Sequence, residues 1–298
     1  MNENKGKLER KYEGIVEFIL PDYEMAEFYI TKKINNRQIY LNEYVLIQDM
    51  NGDYVKDAVF KYKENGLYKV DYKVITNNFI DILKPRNLKQ RCCFDLLQDN
   101  NIPVKLITGN QGGGKTYLAI HTALENWERH EMKIVYIRNN IDVKDTMQIG
   151  SLPGSLKDKL LPYVMPIADC VGDIKALDIL EEKGRIEYVH LGFIRGRSFS
   201  NATIIVSEAE NLTEDHVKLL IGRVGEGSII IFEGDTSQVD KKVFELKSGI
   251  QALKDTLGGN KMFGSVHLDK SERSKTAQLA ELFNNRKEKN YKENYQIT

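Results

Sequence analysis

The stretch "GNQGGGKT", Gly109 to Thr116, constrains this chain more than any other. It fits G-x-x-x-x-G-K-[ST], and its surroundings suit that motif. The apolar run "VKLITG" before it reads as a buried strand. "KTYLAIHTALENW" after it has apolar residues at three- and four-residue steps, as a helix requires. Gly109, Gly112, Gly113 and Gly114, with Asn110 and Gln111 between them, let backbone N–H groups curl around phosphates. The helix N-terminus adds a partial positive charge. Lys115 is then the residue that bridges β- and γ-phosphates, and the Thr116 hydroxyl the one that holds Mg²⁺. A floppy glycine loop with a chance Lys-Thr would need neither the strand nor the helix, so the loop is read as a nucleotide site.

Around it, short apolar runs alternate with helical or loop segments: "RCCFDLLQ", "KIVYIRN", "IEYVHLG", "ATIIVSE" and "SIIIFEGD". Strands alternating with helices predict an α/β fold with a mostly parallel, doubly covered sheet. Two runs end in acidic residues. "ATIIVSEAEN" places Ser207, Glu208 and Glu210 where a metal-organising and water-activating carboxylate belongs. "SIIIFEGDTSQVD" places Asp235 and Gln238 at a second strand tip, suited to sensing a γ-phosphate. Gln90, some twenty residues before the loop, is a candidate for reading an adenine edge with its amide.

The first part of the chain has a different texture. "GIVEFIL", "QIYLNEYVLIQ", "AVFKYK" and "LYKVDYKVI" are rich in β-branched and aromatic residues, and Asn51-Gly52 and Asn65-Gly66 are hairpin signals. Tyrosines concentrate here, either as half-buried strand residues or as stacking platforms for single-stranded nucleic acid. Pro85 marks a break. The expected division is a small β-rich domain over 1–84, a nucleotide-binding domain over 85–283 and a polar tail over 284–298.

Composition excludes little. Net charge is zero over 298 residues, so no overall basic excess points to nucleic acid or membrane, although a local basic groove remains compatible. No apolar run reaches the length of a membrane span and the start lacks a signal-peptide core, so the expectation is a cytoplasmic protein without membrane contact. Cys92, Cys93 and Cys170 fit neither a disulfide framework nor a zinc site.

The chain resembles the PhoH family of P-loop ATPases over residues 83–282. The resemblance rests on "KPRNLKQ", "GNQGGGKT", "IGSLPGSLKDKLLPYVMPIADC", "FIRGRSFSNATIIVSEAEN", "LIGRVGEGSIIIFEGDTSQVD" and "LDKSERS". It implies a RecA-like core, hydrolysis of ATP with Mg²⁺, a homo-oligomeric ring (a hexamer), and RNA or single-stranded DNA as partner, with helicase-like work on it. By position, Lys115 and Thr116 hold phosphate and Mg²⁺, Glu208 polarises water, Gln238 senses the γ-phosphate, and Arg223 and Arg273 are arginine-finger candidates. Arg195 and Arg197 contact nucleic acid or phosphate, or else form structural ion pairs. The PIN nuclease domain of longer members has no counterpart in the forty or so residues before the small β segment, so no ribonuclease activity is expected.

Two positions depart from the family pattern. Ser207 stands where an Asp is usual, and Gly222 where a Thr is usual beside Arg223. Ser207, the metal-side residue by position, offers only a dipole. Slow turnover is therefore expected, and the alternative reading is a nucleotide-gated RNA- or DNA-binding module with impaired hydrolysis. A small-molecule kinase is the third reading, and nothing in the chain resembles an acceptor lid.

Overall fold

A computed structural model describes residues 10–35, 37–64, 66–138, 156–239 and 242–272, with the backbone alone over 156–163. Its centre is a six-stranded sheet in which every pairing is parallel. The strands are β7 (Val104–Gly109), β8 (Lys133–Arg138), β9 (Ile186–His190), β10 (Ala202–Ser207), β11 (Ile229–Gly234) and β12 (Phe263–Leu268). Their order across the sheet is β12-β7-β11-β10-β8-β9. β7, β10 and β11 are buried at every residue, as strands covered on both faces must be. The sheet and its helices match the expected RecA-like core.

Helices cover both faces. On one side α2 (Leu88–Gln98), α3 (Lys115–His130), α4 (Leu156–Val171) and α5 (Ile174–Glu182) close a core with Leu124, Ile134, Tyr136 and Ile205. On the other, α6 (Glu214–Ile221) and α8 (Gly249–Leu257) pack Val217, Leu220, Ile250 and Leu253 against Val206, Ile230 and Phe232. α7 (Lys242–Leu246) is a short helix before α8. β7 connects through α3 to β8, three positions along the sheet, and β11 and β10 fill the gap between them. Ligands of such sheets sit at the carboxyl ends of the strands, where the order reverses. Gly109, Ser207 and Gly234 all end their strands on that side.

The N-terminal part is β-rich, as the sequence predicts, and contains a helix that the sequence reading did not foresee. β1 (Ile15–Ile19), β2 (Tyr44–Gln48), β3 (Tyr54–Lys63) and β4 (Gly66–Lys69) form a four-stranded sheet in that order. β2, β3 and β4 are antiparallel neighbours, with Asn51-Gly52 turning between β2 and β3. α1 (Asp22–Thr31) connects β1 to the rest, burying Phe28 edge-on against Phe60 at 4.8 Å. Its only other apolar contacts are partial and no side chain caps its start, so it left no periodic signature.

One face of this sheet has its own core (Val16, Val45, Ile47, Phe60), while Tyr44, Leu46 and Val59 join the core of the large sheet. A buried Lys61 fastens the two parts. Its ammonium donates to Asp95 (2.9 Å) and Asp99 (2.8 Å) of α2 and its C-cap, and the Tyr44 hydroxyl donates to Asp95 at 2.7 Å. The Asn42 amide adds bonds to the backbone carbonyls of Asn260, Lys261 and Phe263. The hairpin β5 (Ile75–Asn77) and β6 (Ile80–Leu83) lies on α3 through Thr76 N–H to Glu125 and Asn78 N–H to Glu128.

Of the nine tyrosines before residue 75, Tyr12 and Tyr44 are buried, Tyr40, Tyr62 and Tyr72 half-buried, and Tyr23, Tyr29, Tyr54 and Tyr68 exposed. Among the described residues no helix is long and apolar enough to cross a membrane.

Candidate functional site

The site is built on the turn between β7 and α3. Gly109 (φ 148°), Gly112 (φ 88°) and Gly114 (φ 89°) all occupy backbone conformations closed to ordinary residues. At Gly109 there is no room either, since a Cβ would lie 2.0 Å from the Leu268 carbonyl oxygen. That carbonyl accepts from Asn110 N–H at 3.2 Å, so the end of β12 presses on the loop from one side. Glu272 closes the same side by donating its N–H to Gly112 O (3.0 Å) and accepting from Asn87 Nδ2 (2.7 Å). β12 itself escaped the sequence reading because Gly264, Ser265 and His267 break its apolar run.

Gln90 supports the loop from beneath. It is 5% exposed, its Oε1 accepts from Arg86 N–H (2.8 Å) and its Nε2 donates to Gly113 O (3.3 Å). Both ends of the amide are thus engaged with backbone. Lys115 Nζ donates to the carbonyls of Gly109 (2.8 Å) and Asn110 (3.1 Å). These bonds hold the ammonium over the loop, beside the N-terminus of α3.

Above the loop opens a cleft of about 590 Å³. Lys115, Thr116, Glu208, Glu233, Asp235 and Gln238 all line it. Gln111, Gly112 and Gly114 form its floor, and Tyr117, Pro166, Asp169 and the half-buried Cys170 one wall. The structure therefore brings the loop together with both acidic strand tips named from the sequence.

Glu208 follows β10 in the left-handed region (φ 56°, ψ 47°), an uncommon place for a side chain that large. Such outliers cluster at functional sites. Its Oε1 accepts from Arg138 Nη2, at the end of the adjacent β8, at 2.8 Å. Glu210 takes a different part. It is 2% exposed and its Oε2 accepts from Asp235 N–H at 2.9 Å. Burial and the adjoining Glu208 carboxylate hold Glu210 well above the usual carboxylate range. It braces the two strand tips and is absent from the cleft lining. Asp235 accepts from Ser237 Oγ (2.6 Å) and from Gln238 Nε2 (2.7 Å), which fixes the turn that presents Gln238.

Ser207 is 3% exposed and does not line the cleft. Its hydroxyl donates to Glu233 of β11, a residue the sequence reading passed over inside "IIIFEG". Glu233 is 3% exposed yet faces the cleft. Burial and the nearby Glu208 carboxylate raise its carboxyl above the ordinary range, while the Ser207 and Thr116 hydroxyls and the Lys115 ammonium act in the opposite sense.

Among the described residues no group of three or more His, Cys, Asp and Glu is arranged to hold a metal alone. The Thr116 hydroxyl and the Glu208 and Glu233 carboxylates are hard oxygen donors, which suits Mg²⁺ completed by phosphate oxygens and water.

The arginines fall elsewhere. Arg223 follows α6 and precedes β11, so it lies at the amino end of the strands, opposite the loop. Its Nη1 donates to Arg197 O at 3.2 Å. Arg197 pairs with Glu187 at 2.6 Å and stacks on Phe199 at 4.7 Å, the structural ion-pair alternative; Arg195 is exposed. Arg273, most of the "LPGSLKDKLLP" run and the 284–298 tail lie outside the described residues or their described side chains.

The family model described as PhoH-like protein matches residues 82–283. The chain is 32% identical to Protein PhoH2 of Bacillus subtilis (strain 168) over 298 aligned residues, covering 94% of this chain and 66% of that protein. It is 36% identical over 168 residues to a PhoH-like protein of the same organism, covering 55% of this chain and 52% of the relative. To Protein PhoH2 of Thermobispora bispora it is 31% identical over 201 residues, 66% of this chain and 46% of the relative. The chain thus spans between 46% and 66% of the length of these relatives.

Proposed function

The chain belongs to the PhoH-like protein family, a P-loop ATPase-like family, and from that footing we propose that it binds ATP with Mg²⁺ and hydrolyses it. The observation that carries the proposal is one cleft lined by Lys115, Thr116, Glu208 and Gln238 at the carboxyl ends of a parallel sheet. The N–H groups of the glycine loop and of the first turn of α3 hold the phosphates. Lys115 leaves the Gly109 and Asn110 carbonyls for β- and γ-phosphate oxygens. Glu208, oriented by Arg138, accepts a proton from the attacking water, and Gln238, fixed by Asp235, reports on the γ-phosphate. Mg²⁺ bound to the phosphates supplies charge neutralisation for the leaving group.

We extend the proposal to a homo-oligomeric ring, a hexamer, that works on RNA or single-stranded DNA in the cytoplasm. In this reading Arg223, at the far end of its own sheet, stabilises phosphoryl transfer at a neighbouring subunit. Arg273 is the second candidate for that role. Residues 85–283 form the ATPase unit in this reading and 1–84 an accessory unit, with exposed Tyr23, Tyr29, Tyr54 and Tyr68 available for stacking.

A second reading, a nucleotide-gated binding module with slow turnover, is favoured by Ser207 standing where the family pattern has Asp. Steady-state phosphate release with and without single-stranded RNA separates the two. Stimulation by RNA supports a motor. Binding of RNA that depends on ATP, with no stimulated release, supports the gated module. No ATP binding at all overturns both.

A further inference from the structure

Glu233 is unusual in its setting. It is a carboxylate at the next-to-last residue of an otherwise apolar central strand, 3% exposed, at the edge of the nucleotide cleft. Buried carboxylates ordinarily have a cationic partner. Among the described residues no lysine or arginine makes an ion pair with Glu233; its polar neighbours are the hydroxyls of Ser207 and Thr116, and the Glu208 carboxylate and Lys115 ammonium act on it in opposite senses without bonding to it. Ser207 lies on the neighbouring strand, one step beyond the Val206–Phe232 pair, which is why its hydroxyl reaches Glu233. Thr116 is the loop residue whose hydroxyl belongs on the metal. Glu233 is thus a buried acid that lacks a cation, placed beside the group that binds one, while the usual acid at 207 is missing.

We propose that Glu233 is the protein's carboxylate for the nucleotide-bound Mg²⁺, taking from the adjacent strand the part that Ser207 cannot play, with the Ser207 hydroxyl orienting it. The inference rests on the proposal that this cleft binds ATP with Mg²⁺. A Glu side chain is longer by one methylene than an Asp, so it can reach the cleft edge from β11 although its Cα sits one strand away. The exchange also assigns Ser207 a purpose. A second carboxylate at 207 would face Glu233 at hydrogen-bonding range, and two acids so placed cannot both ionise cheaply. Ser207→Asp alone therefore impairs the site, contrary to the simple view that an acid at 207 is what the site lacks.

The test is equilibrium binding of a fluorescent ATP analogue by the full chain, measured in EDTA and across a Mg²⁺ titration. Wild type binds more tightly as Mg²⁺ rises. In Glu233→Gln the Mg²⁺ needed for half of that gain rises ~10-fold, the loss of one charge-assisted contact. In EDTA the same variant binds the analogue more tightly than wild type, because a carboxylate beside the triphosphate is gone. Mere damage to the fold would weaken both. Ser207→Asp shifts the Mg²⁺ dependence in the same direction as Glu233→Gln. The double variant Ser207→Asp/Glu233→Gln returns it to within ~3-fold of wild type, and remains informative if a single variant fails to fold. An unchanged Mg²⁺ dependence in Glu233→Gln, or no recovery in the double variant, overturns the role of Glu233 while leaving ATP binding intact. Absence of binding by wild type in either condition overturns the reading of the cleft itself.

Discussion

Replacing Lys61 by Met would remove the charge that fastens the N-terminal sheet to α2 while keeping most of the side-chain volume. Lys61 is 2% exposed and bridges Asp95 and Asp99 at 2.9 and 2.8 Å. Removing one partner of a buried ion pair costs about 3–5 kcal/mol, most of it the penalty of the charge left behind. Here the stranded carboxylates are 16% and 22% exposed, so water reaches them. Asp95 also keeps the Tyr44 hydroxyl at 2.7 Å, and Asp99 the Asn101 N–H at 3.1 Å. The cost therefore falls at the lower end, about 3 kcal/mol. With a urea slope of about 3 kcal/mol/M, the midpoint should drop by about 1 M. Adding Asp95→Asn and Asp99→Asn should recover at least half of the loss, since no unpaired charge remains. Burial alone would raise the Asp99 pKa, but Lys61 holds it below its ordinary 3.8. A carboxylate depressed on folding stabilises above its unfolded pKa and loses that contribution as pH falls through its folded one. The gap between wild type and Lys61→Met should accordingly narrow below about pH 4. A midpoint shift under about 0.2 M at pH 7 would refute the claim that this pair fastens the N-terminal sheet to the core of the large sheet.

Three further outcomes follow from the same geometry. Lys115→Ala should abolish ATP hydrolysis and also lower the melting temperature by a few degrees, about 1 kcal/mol, because Gly109 O and Asn110 O lose their donor; unchanged turnover in a phosphate-release assay would sink the loop assignment. Lys105 is fully buried, donates to Leu97 O at 2.6 Å, and is pushed down by burial to about 7 from 10.5. The unfolded chain then binds more protons between those values, so stability should rise as pH goes from 7 towards 10, and Lys105→Met should lose that rise in urea titrations. Mixing Arg223→Ala with Lys115→Ala protein should restore part of the ATPase activity if the arginine acts across a subunit boundary; no rescue would remove Arg223 from the site.

The phosphate loop, β7 to β11 and the Asn51-Gly52 hairpin were legible because each is a local pattern: glycines at fixed offsets, or unbroken apolar runs between breakers. β12 was not, since Gly264, Ser265 and His267 disguise a strand whose Ser265 is nonetheless fully buried. α1 was not, because it buries only Phe28 and its remaining residues obey no helical period. In the cleft, Lys115, Thr116, Glu208 and Gln238 announce themselves by motif. Glu233 and Arg138 could not, because their meaning comes from neighbouring strands. Ser207 and Glu233 are 26 residues apart in the chain and become partners only once β10 and β11 pair. The one signal available was an acid interrupting an apolar run just before Gly234. Gln90 shows the converse: its position was noticed, but its engagement with Arg86 and Gly113 depends on how α2 packs under the loop.

In the proposed mechanism Glu208 activates water in an ATP site it does not build. Glu208→Gln keeps the shape and the hydrogen bond from Arg138 but cannot take a proton. The decisive measurement pairs equilibrium ATP binding with single-turnover phosphate release on that variant. Affinity should stay within about threefold of wild type while release slows by at least ~100-fold, the worth of a general base. Release at the wild-type rate with intact binding would contradict it.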